Sequence, residues 1–296
     1  MSGIDLIGMG VAIVTPFKED KTIDFEALEK LIEYLVGNGC DYLVVLGTTA
    51  ETPTLSKEER TIVKNFVRDR VNGRIPLVVG YGGNNTMSLI DDITSADLEG
   101  FSAILSVVPY YNKPSQDGIY QHYKAIAEAS PLPIILYNVP GRTGVNMSAK
   151  TTLRLANDFN NIIAIKEASG DLNQIKEIIE NKPKGFKVIS GDDGVTLSLI
   201  KFGGSGVISV IGNAFPKEFG DLVRFALNGN FSEAENLHNK FSELFRLLFT
   251  DGNPSGIKCM LNKLGIIKNE LRLPLVSTRK STEENIKSSI EKFINS

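Results

Sequence analysis

Eight short apolar runs, separated by helix-periodic stretches, punctuate the first three quarters of the chain. They are Val11–Val14, Tyr42–Leu46, Leu77–Val79, Ala103–Val108, Ile134–Tyr137, Ile162–Ile165, Lys187–Ile189 and Val207–Val210. Each is too short for a helix and apolar at both parities, the pattern of strands covered on two faces, which is the environment of a parallel sheet. Between them lie stretches such as Phe25–Val36, whose apolar positions 25, 28, 31, 32, 35 and 36 follow the spacing of one helix face. Asp24 is placed to cap that helix, Ser56-Lys-Glu-Glu59 is a capping box, and Ser148 and Asp171 stand where later helices should begin.

Eight strand-helix units predict an α/β protein built as a (β/α)8 TIM barrel over residues 1–228. Residues 229–296 read as a C-terminal helical appendage of three helices, broken at Gly252-Asn-Pro254 and Leu273-Pro274. A doubly wound sheet is the alternative, but no G-x-G-x-x-G turn follows the first strand, so a dinucleotide-binding sheet is disfavoured.

Charge narrows the partners. With 32 Lys+Arg against 35 Asp+Glu the net charge is −3, and no run of five like charges occurs, so neither nucleic acid nor an anionic membrane is an expected partner. No basic leader precedes an apolar stretch at Met1–Gly8, no apolar run reaches eighteen residues, and the two cysteines, Cys40 and Cys259, cannot build a disulfide framework. A cytoplasmic location is expected.

In a barrel of this kind the chemistry sits where the strands stop. Those ends carry Thr15-Pro16, Gly47-Thr48-Thr49, Gly80-Tyr81-Gly82, Pro109-Tyr110-Tyr111, Tyr137-Asn138, Lys166-Glu167, Ser190-Gly191-Asp192 and Ser209. Lys166 is the sharpest candidate. Strand parity puts Ile162, Ala164, Lys166 and Ala168 on one face, with the alanines leaving room around an amine whose burial would favour the uncharged, nucleophilic form. An ion pair with Glu167 is the competing role for that lysine. Tyr137 ends the preceding strand, where its phenol could relay protons or simply pack. Thr48 and Thr49 add hydroxyls, with turn bonding as their alternative. Arg142, in Gly141-Arg-Thr-Gly144, suits bidentate capture of a carboxylate, or else a surface ion pair.

His122 and His238 lie in helical patterns whose faces point away from the rim, so a catalytic zinc is not expected. Gly203-Gly-Ser-Gly206 precedes a strand and reads as a tight turn rather than a phosphate cradle.

Taken in order, Gly47-Thr-Thr-Ala-Glu51, Pro109-Tyr-Tyr-Asn-Lys-Pro114, Tyr137-Asn-Val-Pro-Gly-Arg-Thr-Gly144, Lys166-Glu-Ala-Ser-Gly-Asp171 and Ser190-Gly-Asp-Asp193 resemble the dihydrodipicolinate synthase and N-acetylneuraminate lyase family of pyruvate-dependent class I aldolases. The arginine motif and paired tyrosines point to the dipicolinate branch. The resemblance implies a Schiff base between Lys166 and pyruvate, with Tyr137 and Thr48 relaying protons and Tyr111 entering from a neighbouring subunit. It further implies that Arg142 clamps the carboxylate of L-aspartate 4-semialdehyde, while Thr49 and the backbone near Gly191 and Ile208 hold the pyruvate carboxylate and line its pocket. No cofactor beyond the covalent imine, and a homotetramer of two tight dimers, are implied by the same likeness.

Two departures stand out. Ala50 replaces the glycine commonest in the family's threonine motif. Where lysine-inhibited members carry histidines and a glutamate, this chain aligns Lys57, Arg60 and Ser88, while Asn84 and Tyr110 match. Two alternatives remain open: a sugar-acid lyase using the same lysine, and a barrel that binds a keto acid without turning it over.

Overall fold

The computed structural model describes residues 6–295; Met1–Asp5, part of the stretch read for a leader, and Ser296 lie outside the described residues. Eight parallel strands close into a barrel among the described residues: β1 (Gly8–Ala12), β2 (Tyr42–Val45), β3 (Leu77–Gly80), β4 (Ala103–Val107), β5 (Ile134–Asn138), β6 (Ile162–Glu167), β7 (Lys187–Ser190) and β8 (Gly206–Ser209). β8 pairs back onto β1. All eight apolar runs are strands, although β1 begins three residues before its expected run, because Gly8 and Gly10 pack without side chains against Asp41 and Tyr42.

Around the strands run α1 (Phe25–Gly37), α2 (Lys57–Val71), α3 (Thr86–Ser95), α4 (Gln116–Ala129), the short α5 (Pro140–Thr143), α6 (Ala149–Asp158), α7 (Leu172–Asn181), α8 (Thr196–Lys201) and α9 (Pro216–Leu227). The caps form as the sequence suggests: Asp24 accepts from the Ala27 amide, Ser56 and Glu59 make a full capping box, and Ser148 and Asp171 cap α6 and α7. Between α8 and β8, Gly206 adopts a φ of +135° and sits where a Cβ would meet the Gly8 carbonyl, so the glycine-rich turn serves close strand approach.

Two hydrophobic clusters result. The inner one fills the barrel with Tyr42, Val44, Val78, Leu105, Ile135, Tyr137, Ala164, Ile189 and Ile208; the outer one joins strands to helices. Ile162 is an exception to the expected parity. β5 pairs Ile134 with Ile162 but Ile135 with Ala164, so one extra residue bulges β6 and turns Ile162 to the outer cluster. Ala164 stays inside, and Lys166 follows it on the same face.

Three helices complete the chain: α10 (Phe231–Thr250), α11 (Ser255–Lys263) and α12 (Lys280–Ile294). α10 and α12 join α9 and its N-cap through aromatic rings, with Phe219 5.5 Å from Phe241 and Phe215 4.8 Å from Phe293 between centroids.

Candidate active site

The catalytic rim begins with backbone conformations that ordinary strands avoid. Leu46, at the end of β2, has a φ of 58°, Glu51 has 55°, and Tyr111 and Lys113, beyond β4, have 73° and 46°. Such left-handed non-glycine residues cost energy and cluster where function fixes the backbone. After Leu46 the chain makes a single 3₁₀ turn over Thr48–Ala50, turns at Glu51, and makes another over Thr52–Thr54 before α2. Turn bonding falls to Thr52 and Thr54, whose hydroxyls donate to the Gly47 and Glu51 carbonyls, and not to Thr48 or Thr49. Ala50 is accommodated in the turn without a left-handed φ, and its carbonyl accepts from the Thr15 hydroxyl at 2.8 Å.

β5 and β6 bring Tyr137 and Lys166 side by side, directly paired in register. Lys166 is only 5% exposed, and its Nζ lies 4.4 Å from the centroid of the Tyr137 ring. It makes no ion pair with any described residue. Glu167, the competing partner, points to the other side of β6, where it is buried and accepts from Asn138 Nδ2 at 3.1 Å, Gln174 Nε2 at 3.1 Å and the Ser169 amide at 2.8 Å. Burial raises the Glu167 pKa against those bonds. Because Asn138 follows Tyr137 and Glu167 follows Lys166, this buried polar cluster locks the two strand ends together behind the phenol and the amine.

Gly191 stands opposite the lysine stem: a Cβ there would come within 3.0 Å of Lys166 Cε and 2.7 Å of the Ala168 Cβ. Ile208 is fully buried in the inner cluster beneath. A cleft of about 550 Å³ opens above, lined by Thr48, Tyr137, Val139, Arg142, Tyr110 and Asn253 among others. Arg142 hangs at the mouth and donates from Nη2 to the Asn253 carbonyl at 3.2 Å. Thr49 is buried and its Oγ1 accepts from Asn253 Nδ2 at 3.1 Å. Of the residues singled out in the sequence, Thr48, Tyr137 and Arg142 line the cleft, Lys166 lies against Tyr137 and Gly191 against Lys166, Thr49 meets the cleft residue Asn253, and Ile208 sits in the barrel interior. Tyr111 stands apart, 89% exposed on its left-handed loop and in contact with none of them.

Sequence reading missed the contribution of the C-terminal segment. Lys258, on α11, is fully buried, 2.5 Å from Glu51 Oε1, and its Nζ donates to the Glu270 carbonyl. Burial takes its ammonium down to about 8, against the opposing pull of Glu51. Arg272 donates its backbone amide to Glu51 Oε2 at 3.0 Å and grips Glu59 through both terminal nitrogens. The only local signal was the Gly252-Asn-Pro254 break, which sequence reads as punctuation.

The histidines sit in α4 and α10, away from this mouth; His122 is buried, with Nδ1 2.8 Å from the Thr86 hydroxyl. Cys40 is buried, its thiol pushed up to about 12 by desolvation, which makes it inert.

Residues 5–293 match the Dihydrodipicolinate synthetase family. The chain belongs to that family. It is 62% identical over 287 residues to the 4-hydroxy-tetrahydrodipicolinate synthase of Parabacteroides distasonis, with 97% of each chain covered. Among solved structures, dihydrodipicolinate synthase from Aquifex aeolicus superposes with a TM-score of 0.94 at 41% identity, covering 98% of both chains. A dihydrodipicolinate synthase described as the first monomeric variant gives 0.94 at 42% identity, covering 97% of this chain and 96% of that one. The fold read from the sequence is that of the family's solved structures.

Proposed function

We propose that the protein condenses pyruvate with L-aspartate 4-semialdehyde through a lysine Schiff base, acting as a 4-hydroxy-tetrahydrodipicolinate synthase on the diaminopimelate route to lysine. The observation that carries this reading is Lys166: a buried amine with no carboxylate partner among the described residues, held against Tyr137, whose own side of the barrel opens into a cleft that an arginine also lines.

The chemistry follows from the groups. Lys166 Nζ attacks the keto carbon, and Tyr137, with Thr48, carries the protons that let the carbinolamine lose water. The resulting imine draws electrons, the methyl group loses a proton, and the enamine carbon attacks the aldehyde. Arg142 holds the carboxylate of that second substrate, whose amine then closes the ring and displaces the lysine. Thr49 and the backbone near Gly191 and Ile208 hold the pyruvate carboxylate. The covalent imine is the only cofactor this chemistry requires.

Tyr111, an aromatic ring exposed on a strained loop and suited to completing a neighbour's relay, supports pairing of two copies, and the homotetramer of two tight dimers follows from the family resemblance. Sedimentation analysis at micromolar concentration is expected to show four copies; a monomer with full activity would refute that assembly. Among the described residues no helix is long and apolar enough to cross a membrane, and a cytoplasmic biosynthetic role is the reading we adopt.

Borohydride added with pyruvate should fix a three-carbon adduct on Lys166, detectable by peptide mass spectrometry, and Lys166→Ala should lose both adduct and turnover, by about 10³-fold or more. Turnover of sugar acids in preference to the aldehyde would instead favour a sugar-acid lyase, and adduct formation without turnover a keto-acid-binding barrel.

A further inference from the structure

Asn253 touches both substrate anchors at once. Its side-chain Nδ2 donates to Thr49 Oγ1 at 3.1 Å, and its main-chain carbonyl accepts from Arg142 Nη2 at 3.2 Å. The residue is 7% exposed and lies 204 positions from the threonine it meets. A threonine hydroxyl has one proton to give and lone pairs to receive. With an amide donating to its oxygen, the Thr49 proton has no claim from Asn253 and is left for an acceptor on the ligand.

Asn253 is itself held on both sides. Asp251 accepts from the Arg279 amide and side chain, Ser255 donates to the Val276 carbonyl at 2.7 Å, and Lys258, one turn along, is paired with Glu51 two residues beyond Thr49. The amide therefore approaches the threonine turn from a braced segment, and the two elements are pinned at two points.

Resting on the reading that Thr49 meets the pyruvate carboxylate, we propose that Asn253 is a positioning residue for both substrates: its amide fixes the Thr49 hydroxyl as a donor to the keto acid, and its carbonyl fixes the reach of Arg142. The C-terminal segment, not the barrel, then sets the separation between the two carboxylate anchors.

Asn253→Asp is the discriminating variant. It keeps size and main-chain carbonyl but replaces the donor by an acceptor, so the Thr49 proton turns away from the ligand. The measurement is the pyruvate concentration that half-saturates borohydride trapping, with the aldehyde KM followed separately. Asn253→Asp should raise half-saturation by at least about tenfold, as expected for losing a hydrogen bond to a charged group. Asn253→Ala should raise it less, since it removes the donor without adding an acceptor. A packing role alone gives the reverse order, because alanine leaves the larger void. In a Thr49→Val background the Asp effect should shrink to about threefold or less, the signature of a shared interaction. The aldehyde KM of Asn253→Asp should stay within about threefold of wild type, since the carbonyl remains.

Half-saturation of Asn253→Asp within threefold of wild type, the reverse order of variants, or an effect undiminished by Thr49→Val would overturn the proposal. Should the Asp variant not fold, the Ala and Thr49→Val pair decides by the same cycle. Failure of the wild-type protein to trap pyruvate at all would instead overturn the reading on which the proposal rests.

Discussion

At the scale of single residues, the site depends as much on what is missing as on what reacts. Gly191 has no side chain, and a methyl there would collide with the Ala168 Cβ at 2.7 Å and press on the lysine stem at 3.0 Å. Gly191→Ala is therefore expected to displace Lys166 from the Tyr137 ring and lower kcat by about tenfold or more, while costing about 1–3 kcal/mol of stability as overpacking does. Steady-state rates and thermal unfolding of the one variant separate these two effects, and an unchanged kcat would contradict the geometry. Lys166 and Tyr137 were legible in the sequence because strand ends in a barrel converge, so position along the chain already implied position in space. Asn253 was not, since neither residue type nor local spacing reveals a partner so distant in the chain. The facing of Ile162 was misread for another reason: a bulge changes parity, and nothing in an Ile-Ile-Ala-Ile run marks where it falls.

At the scale of elements, two buried titratable groups, one tying a turn and one joining α4 to α3, oppose each other in pH. Asp193, after β7, accepts from the Val210 and Ile211 amides and so ties the turn beyond β8; desolvation pushes its carboxyl up to about 6. Its folded pKa lies above the ordinary 3.8, so the folded chain holds a proton that the unfolded chain releases, and this contribution falls as pH rises from about 4 to 6. His122, on α4, is taken by burial from 6.5 down to about 4, so its contribution is present above that window and is lost as pH falls through it. Each is on the order of 3 kcal/mol at most. Relative to wild type, Asp193→Asn should lose more thermal stability on acidification from pH 6 to 4, and His122→Gln should lose less. Calorimetric scans of the three proteins across that range check both signs. The helix caps were readable from sequence because capping is local chemistry. These buried groups were not, because burial is a property of the finished fold.

For the molecule as a whole, the cleft that leads to Tyr137 extends past Tyr110 to Lys57, Arg60 and Lys64 on α2. Lys57 pairs with Asp92 at 3.1 Å, and Asn84 donates to the Tyr110 carbonyl at 3.2 Å. A cationic amino acid entering this lobe meets added positive charge at Arg60 and at Lys57, where Asp92 is already engaged by the lysine, and Ser88 supplies no carboxylate in exchange. L-Lysine is therefore expected to inhibit initial rates weakly or not at all; half-inhibition at or below about a millimolar concentration, worth about 4 kcal/mol of binding, would contradict this. The barrel itself was foreseeable from eight repeated units. How tightly the last helices engage it was not, since Lys258 and Arg272 look like ordinary surface charges until Glu51 is seen between them. That engagement orders events in time. During translation, the turn bearing Thr48 and Thr49 leaves the ribosome some two hundred residues ahead of the side chains that brace it. A nascent chain that has closed its cylinder of strands still awaits Asn253 and Arg272, so the braced form of that turn is expected only after residue 272 has emerged.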